Sequence, residues 1–286
     1  MTGLEALPSP GDSLAEEAAR GIRERTSLRP VAGVVLGSGL GAAVEGMEED
    51  AAFGYQELPG FTVTTVPGHA GMLVLGTLAQ VPVAVFLGRM HYYEGNSMAR
   101  SALPVLVSRL LGADTMVLTA SVGALDPSLA PGTVVVGSDH INLMGENPLR
   151  GWRRPDGTPP FVDLSAVYDP ELARIAVEEA EALGAPVGRG VYLAVSGPTY
   201  ETPAEIEFMR RAGGSVVGMS VVPEAVPARA LGMRVLGLFS VTNAVGGEVS
   251  HAEVIRVGAQ MGSVIGRLLA GILPRLAAVA ASTDEG

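Results

Sequence analysis

Three polar clusters in this chain carry the residue types of an anion site. Gly37-Ser38-Gly39-Leu40-Gly41 follows the apolar run Val31–Leu36. Glycines let backbone N–H groups approach an anion closely, and Ser38 adds a hydroxyl. Arg89-Met90-His91-Tyr92-Tyr93-Glu94 follows another apolar run. Arg89 offers a planar fork that fits phosphate oxygens, His91 can donate to the same anion, and Glu94 can orient the imidazole. Ser220 stands before Val221-Val222-Pro223-Glu224, where a helix is expected to begin. A hydroxyl and free N–H groups at such a start make a further anion donor. The chemistry is phosphate binding, and the phosphate could belong to a dinucleotide, to a nucleotide or be the free ion.

A second set suits a flat ring and a sugar. Tyr200 can stack on a ring, and the Glu201 carboxylate can accept hydrogen bonds from it. Thr242-Asn243 is a polar pair at the end of an apolar run, and Asn243 carries both a donor and an acceptor. His251 falls at the first position of the last predicted helix, where the dipole disfavours protonation. A neutral imidazole there suits a sugar hydroxyl. His140 has no evident partner and reads as structural.

The elements that must position these groups alternate between strands and helices. Strands are expected at Val31–Leu36, Thr62–Val66, Met72–Leu78, Val81–Leu87, Thr115–Ala120, Thr133–Val136, Val191–Val195 and Val235–Val241. Helices are expected from Ser13-Leu14-Ala15-Glu16, over Ser97–Leu111 with a kink at Pro104, from Asp169-Pro170-Glu171 to Gly184, from Thr202-Pro203-Ala204-Glu205, around Pro223–Leu231, and from Ser250-His251-Ala252-Glu253. Three of these starts are capping boxes. Asn142–Phe161 reads as a long loop. The fold class is α/β: one domain with a mixed central sheet flanked by helices. Residues 13–276 form the domain, with flexible segments at 1–12 and 277–286. Polar clusters at Gly37–Gly41, Arg89–Glu94, Thr119–Gly123 and Thr242–Asn243 all sit at strand ends, so they are expected to converge.

Composition narrows the chemistry. The 286 residues contain no cysteine, which excludes thiol catalysis and Cys-ligated metals. All 19 basic residues are arginine, which excludes Schiff-base chemistry and the P-loop lysine. The net charge of −11 and scattered arginines argue against nucleic-acid binding. Met1–Asp12 has no basic start and no apolar core, so a cytoplasmic location is expected. Ser263–Ala281 is apolar but carries Arg267, Pro274 and Arg275, and reads as a buried helix rather than a membrane span. A dinucleotide fingerprint is met only in part. Gly37, Gly39 and Ala42 fit the spacing, but Glu45–Asp50 and Pro59-Gly60 follow, and Glu57 lacks an expected strand before it.

The motifs, taken in order, resemble those of the trimeric purine nucleoside phosphorylases, in the family that also holds methylthioadenosine phosphorylase. They are Leu36–Gly41, Val66-Pro67-Gly68-His69-Ala70-Gly71, Gly88–Gly95, Asp139–Leu143, Asn147–Gly151, Ser196–Thr202, Val217–Ser220 and Thr242-Asn243. The resemblance implies that Ser38, Arg89, His91 and Ser220 bind phosphate, with the Ser121 backbone N–H and a mobile His69 nearby. It implies that Tyr93, Met219 and His251 hold the ribose, and that Tyr200, Glu201, Thr242 and Asn243 hold the purine. The catalytic residues would be His91, Glu201 and Asn243. Phosphate would be a co-substrate, with no metal or organic cofactor. A homotrimer is implied, with an aromatic residue, here Phe161, covering the neighbour's ribose. Where such proteins commonly read Thr-Asn-Ala-Ala-Gly-Gly, this chain has Thr119-Ala120-Ser121-Val122-Gly123-Ala124. Methylthioadenosine phosphorylase is the nearest alternative, but acidic residues are expected at its base-binding strand end, where Asn243-Ala244 stands.

Overall fold

The computed structural model describes residues 12–246 and 251–284, with backbone alone at 12, 251–255 and 279–284. Nine strands are present among the described residues: β1 (Ala32–Val35), β2 (Glu48–Gly54), β3 (Met72–Leu78), β4 (Val81–Leu87), β5 (Thr115–Ala124), β6 (Val134–Asn142), β7 (Val187–Ala194), β8 (Val216–Gly218) and β9 (Arg234–Ala244). The helices are α1 (Asp12–Arg23), α2 (Met98–Ser101), α3 (Leu103–Leu111), α4 (Pro170–Ala182), α5 (Pro203–Arg211), α6 (Val222–Ala230) and α7 (His251–Asp284). The sheet order is β2-β3-β4-β1-β5-β8-β7-β6-β9, and β9 also pairs with β5. That extra pairing closes β5, β8, β7, β6 and β9 into a small barrel continuous with the open part of the sheet. Parallel and antiparallel pairs both occur, so the expected mixed sheet is present.

Side-chain alternation explains why helices cover both faces. Val34, Val83, Val85 and Val117 point to the layer of α4 and α7, whereas Val35, Ala84, Phe86 and Leu118 point to α1, α3 and α6. On α7, Ile265, Leu268, Leu269, Ile272, Leu273 and Leu276 are fully buried. Each such side chain contributes about 1.5–3 kcal/mol. This helix alone is long and apolar enough to cross a membrane among the described residues, and that burial makes it a core helix.

Local chemistry sets the helix ends. Asp169 accepts from the N–H groups of Glu171 and Leu172, and Pro170 occupies the first position of α4. Thr202 and Glu205 form the expected capping box of α5. The helix expected over Ser97–Leu111 divides at Ala102, because Pro104 lacks an N–H and excludes the carbonyl one turn back.

Several expectations are corrected. Ser13 lies inside α1, which already includes Asp12. Thr62–Val66 is not a strand: Thr62 Oγ1 bonds Asn96, and the Thr65 N–H and hydroxyl bond Glu94, so side chains replace a ladder. A strand does precede Glu57, namely β2, whose exposed acidic start masks its buried second half. β6 runs on to Asn142 and takes up His140. Helix α7 continues over residues 277–284. The capping residue Ser250 lies outside the described residues.

Candidate active site

Strand β1 runs parallel to β4 and β5, and β5 runs parallel to β9. Their carboxyl ends therefore face one edge, where ligands gather in such sheets. A cleft of about 420 Å³ opens there, a size that suits a small molecule. All four polar clusters reach it: Ser38 from the turn after β1, Arg89 and His91 after β4, Ser121 on β5, and Thr242 and Asn243 on β9. Tyr93, Tyr200, Glu201, Met219 and Ser220 line it as well.

One end is built for an anion. Arg89 is 3% exposed; its Nε donates to Glu224 Oε1 at 3.0 Å, Nη2 to the Thr119 carbonyl at 2.8 Å, and Nη1 to Ser220 Oγ at 3.3 Å. One N–H on each terminal nitrogen remains for a ligand. Burial pushes the Glu224 carboxyl pKa up, against the pull of Arg89. Its Oε2 has no hydrogen-bond partner among the described residues.

His69 does not line the cleft; it lies behind Ser38. Its Nδ1 accepts the Arg89 N–H at 3.0 Å, so its proton sits on Nε2, 2.8 Å from Ser38 Oγ. The Ser38 hydroxyl thereby accepts from His69, which leaves its own hydrogen to donate. Burial first, then the charges of His91 and Arg89, lower the His69 pKa to about 3. Gly88 allows this packing: its φ is +108°, and an added Cβ would stand 2.6 Å from His69.

His91 Nδ1 lies 3.1 Å from Glu94 Oε2, the orientation expected from the sequence. Burial alone would raise the Glu94 pKa, but hydrogen bonds from His91 and Thr65 outweigh it and hold it at about 2. The His91 ring stacks on Tyr93 at 4.6 Å.

Ser220 corrects one expectation. Its N–H is not free but donates to the Tyr192 hydroxyl at 3.2 Å, and Val221 is the residue that caps α6. Val221 has φ +69° and ψ −54°, and the Val222 N–H donates to the Ser220 carbonyl at 2.8 Å. This is the rare, strained form of γ-turn, held by a β-branched residue beside the site.

The other end presents ring-binding groups. Glu201 is half-buried, and burial raises its pKa. Tyr200 is 48% exposed at the rim. Thr242 Oγ1 lies 3.0 Å from Asn243 Oδ1 and 3.2 Å from the Val122 carbonyl, so Thr242 orients the amide rather than facing a ligand alone. Ile206, Val217 and Val245 form the apolar floor. The side chain of His251 lies outside the described residues; its backbone opens α7. Phe161 is 86% exposed in the long loop. Among the described residues no group of three or more His, Asp or Glu side chains is gathered as for a metal ion.

The dinucleotide reading fails in space. Glu57 lies after the edge strand β2 and pairs with Arg25 at 3.3 Å, away from the glycine turn. Two contributors have no individual role in the sequence reading. Thr119 holds Gly37 and Arg89, and Glu224 holds Arg89. Thr119 left a signal as the first residue of the polar cluster Thr119–Gly123, and Glu224 left none.

Residues 32–274 match the model of the phosphorylase superfamily, and the chain belongs to that family. Within it, the chain is similar to purine nucleoside phosphorylase 1 of Bacillus subtilis, 43% identical over 246 residues, spanning 85% of this chain and 91% of that one. The solved purine nucleoside phosphorylase of Schistosoma mansoni in complex with adenosine superposes with a TM-score of 0.83 at 36% identity, covering 90% of this chain and 95% of that one. Isoform 2 from the same organism, in complex with cytosine and ribose-1-phosphate, gives 0.86 at 34% identity, covering 92% and 96%.

Proposed function

We propose that this chain catalyses the reversible phosphorolysis of 6-oxopurine nucleosides, inosine and guanosine and their deoxy forms, to the free purine and (deoxy)ribose 1-phosphate. The observation that carries this reading is the convergence of Ser38, Arg89 and Ser220 at one end of a cleft whose other end holds Glu201 and Asn243. The distribution fits a nucleophilic anion and a leaving base with a sugar between them. Phosphate is the co-substrate and no further cofactor enters the scheme.

A phosphate oxygen forms the new bond to C1′ as the bond from C1′ to the purine nitrogen breaks, and the bonding pair leaves with the base. Positive charge builds on the sugar and negative charge on the purine. The phosphate, held by Ser38, Arg89, His91, Ser220 and the Ser121 N–H, stabilises the first. The Asn243 amide donates to the purine N7 and O6 edge as the second develops, and Glu201 accepts from N1–H. Tyr93, Met219 and His251 hold the ribose, and Tyr200 covers the base.

Glu201 sets the selectivity. Hypoxanthine and guanine carry N1–H, whereas adenine presents an acceptor, which would face the carboxylate unpaired. Sites built around a substrate donor reject its lacking analogue by roughly 10⁴-fold. The adenosine bound in the solved relative makes adenosine the informative competitor. Initial rates with inosine, guanosine and adenosine, with and without phosphate, are expected to show phosphate-dependent cleavage of the first two and a kcat/KM for adenosine lower by about that factor. Comparable kcat/KM values for adenosine and inosine would remove the assigned roles of Glu201 and Asn243.

The working assembly proposed is a homotrimer, with Phe161 of one copy reaching the ribose site of the next, and the proposed location is the cytoplasm. The exposure of Phe161 supports the first of these.

A further inference from the structure

The two arms of the anion site come from different strands, Ser38 from the end of β1 and Arg89 from the end of β4. Both are tied to one short stretch of β5. Thr119 is fully buried. Its Oγ1 accepts the Gly37 N–H at 2.9 Å and donates to the Val35 carbonyl at 3.0 Å. One hydroxyl therefore bridges the chain on both sides of the point where β1 gives way to the glycine turn. The carbonyl of the same residue takes Arg89 Nη2 at 2.8 Å. Two residues on, Ser121 Oγ donates to the Ser38 carbonyl at 2.9 Å.

These bonds fix the turn on both flanks of Ser38: the N–H before it and the carbonyl after it. The turn also lies directly on β5, since a Cβ at Gly37 would stand 2.9 Å from Ala120 Cα. Val35, Gly37, Ser38 and Arg89 thus share a single ruler. The Ser121 side chain is one of the positions where this chain departs from the Thr-Asn-Ala-Ala-Gly-Gly pattern, and its hydroxyl is used inside the protein.

We propose that the Thr119 and Ser121 hydroxyls are positioning groups that hold the Ser38 turn in place relative to Arg89, and through it set the affinity for phosphate. The proposal rests on the phosphorolysis reading above. A hydroxyl that served only to stabilise the fold would affect both substrates alike. A ruler for the anion site acts on phosphate and spares the nucleoside.

The variants Thr119→Val, Thr119→Ser and Ser121→Ala separate these cases, through KM for phosphate and for inosine, and through calorimetric binding of inorganic phosphate alone. Thr119→Val keeps the shape and the Arg89-binding carbonyl but loses both hydroxyl bonds. It is expected to raise the phosphate KM and Kd about tenfold or more, with the inosine KM within about twofold. Ser121→Ala, at a part-buried side chain, is expected to raise the phosphate KM about threefold and carries the test if Thr119→Val does not fold. Thr119→Ser restores the hydroxyl and is expected to stay within about twofold of the parent.

Unchanged phosphate constants in Thr119→Val and Ser121→Ala overturn the proposal. So does an equal rise in both substrates' KM, or a Thr119→Ser variant as impaired as Thr119→Val. In these outcomes the parent enzyme still binds phosphate, and the phosphorolysis reading stands. A parent chain that binds no phosphate overturns both.

Discussion

Arg89 and Glu224 are 3% and 2% exposed, a complete ion pair taken out of water beside the proposed phosphate position. Burying such a pair is costly unless its hydrogen bonds are met; Arg89 meets three within the protein, whereas Glu224 Oε2 has no partner among the described residues. Arg89 was legible because an arginine directly after an apolar run has to find a partner. Glu224 was not, because an acid in the first turn of a helix is ordinary, and only the fold brings it to Arg89. His69 was legible only through the resemblance, and in the structure it stands behind Ser38. It is a neutral donor that aims the Ser38 hydroxyl. Its proton affinity carries a stability consequence. In the unfolded chain the ring takes a proton near 6.5, and in the native state it refuses one until about pH 3. The unfolded state binds more protons between these values, so this contribution is complete above about pH 6.5 and drains as pH falls towards 3. Glu94 adds a second loss between its ordinary 4.5 and about 2. Unfolding free energies from denaturant titrations are expected to fall steadily below about pH 6.5, and His69→Gln to flatten the slope between pH 6.5 and 4.5. An unchanged slope in that variant would mean the ring titrates normally in the native state.

Elements were legible where one periodicity ruled. β1, β3 and β4 read directly as apolar runs, and α4 and α5 were announced by their caps. β2 was hidden because Glu48, Glu49 and Asp50 are its exposed half at the sheet edge. Thr62–Val66 has a strand's composition but not its pairing, since Asn96 and Glu94 take its hydrogen bonds. The sequence reads as strand-then-loop at the ends of β5 and β9. In fact Ser121 and Asn243 lie within strands, at a register shift after Val122. The bulge puts one extra residue, Thr242, on β9 just before Asn243, and the ladder continues through it. The hairpin between β3 and β4 carries a correctable strain. Ala79 and Gln80 have φ of 50° and 64°, the geometry of a two-residue turn that favours Asn-Gly. Left-handed backbone costs a residue with a Cβ roughly 1–2 kcal/mol. Replacing the pair by Ala79→Asn with Gln80→Gly is expected to raise the thermal midpoint by about 2–4 °C with activity unchanged. Calorimetry checks this; a lower midpoint would contradict the turn geometry.

At the scale of the whole molecule, the class of fold followed from the alternation of elements, whereas the closure of β5 through β9 into a barrel did not. Strand order depends on long-range pairing that no local pattern encodes. The assembly was likewise beyond local pattern, and the homotrimer is proposed from the resemblance and the exposed Phe161. Light scattering is expected to give three times the 29.3 kDa chain mass. A monomer with full activity would exclude a role for a neighbour's Phe161. The central claim is that the corner formed by Ser38, Arg89 and Ser220 holds the attacking nucleophile. It is tested most directly by following inosine and inorganic phosphate with the enzyme by phosphorus NMR, with hypoxanthine measured in parallel. A ribose 1-phosphate signal is expected to grow one-for-one with hypoxanthine, with no cleavage when phosphate is left out. Hypoxanthine released with free ribose, at a rate indifferent to phosphate, would contradict it.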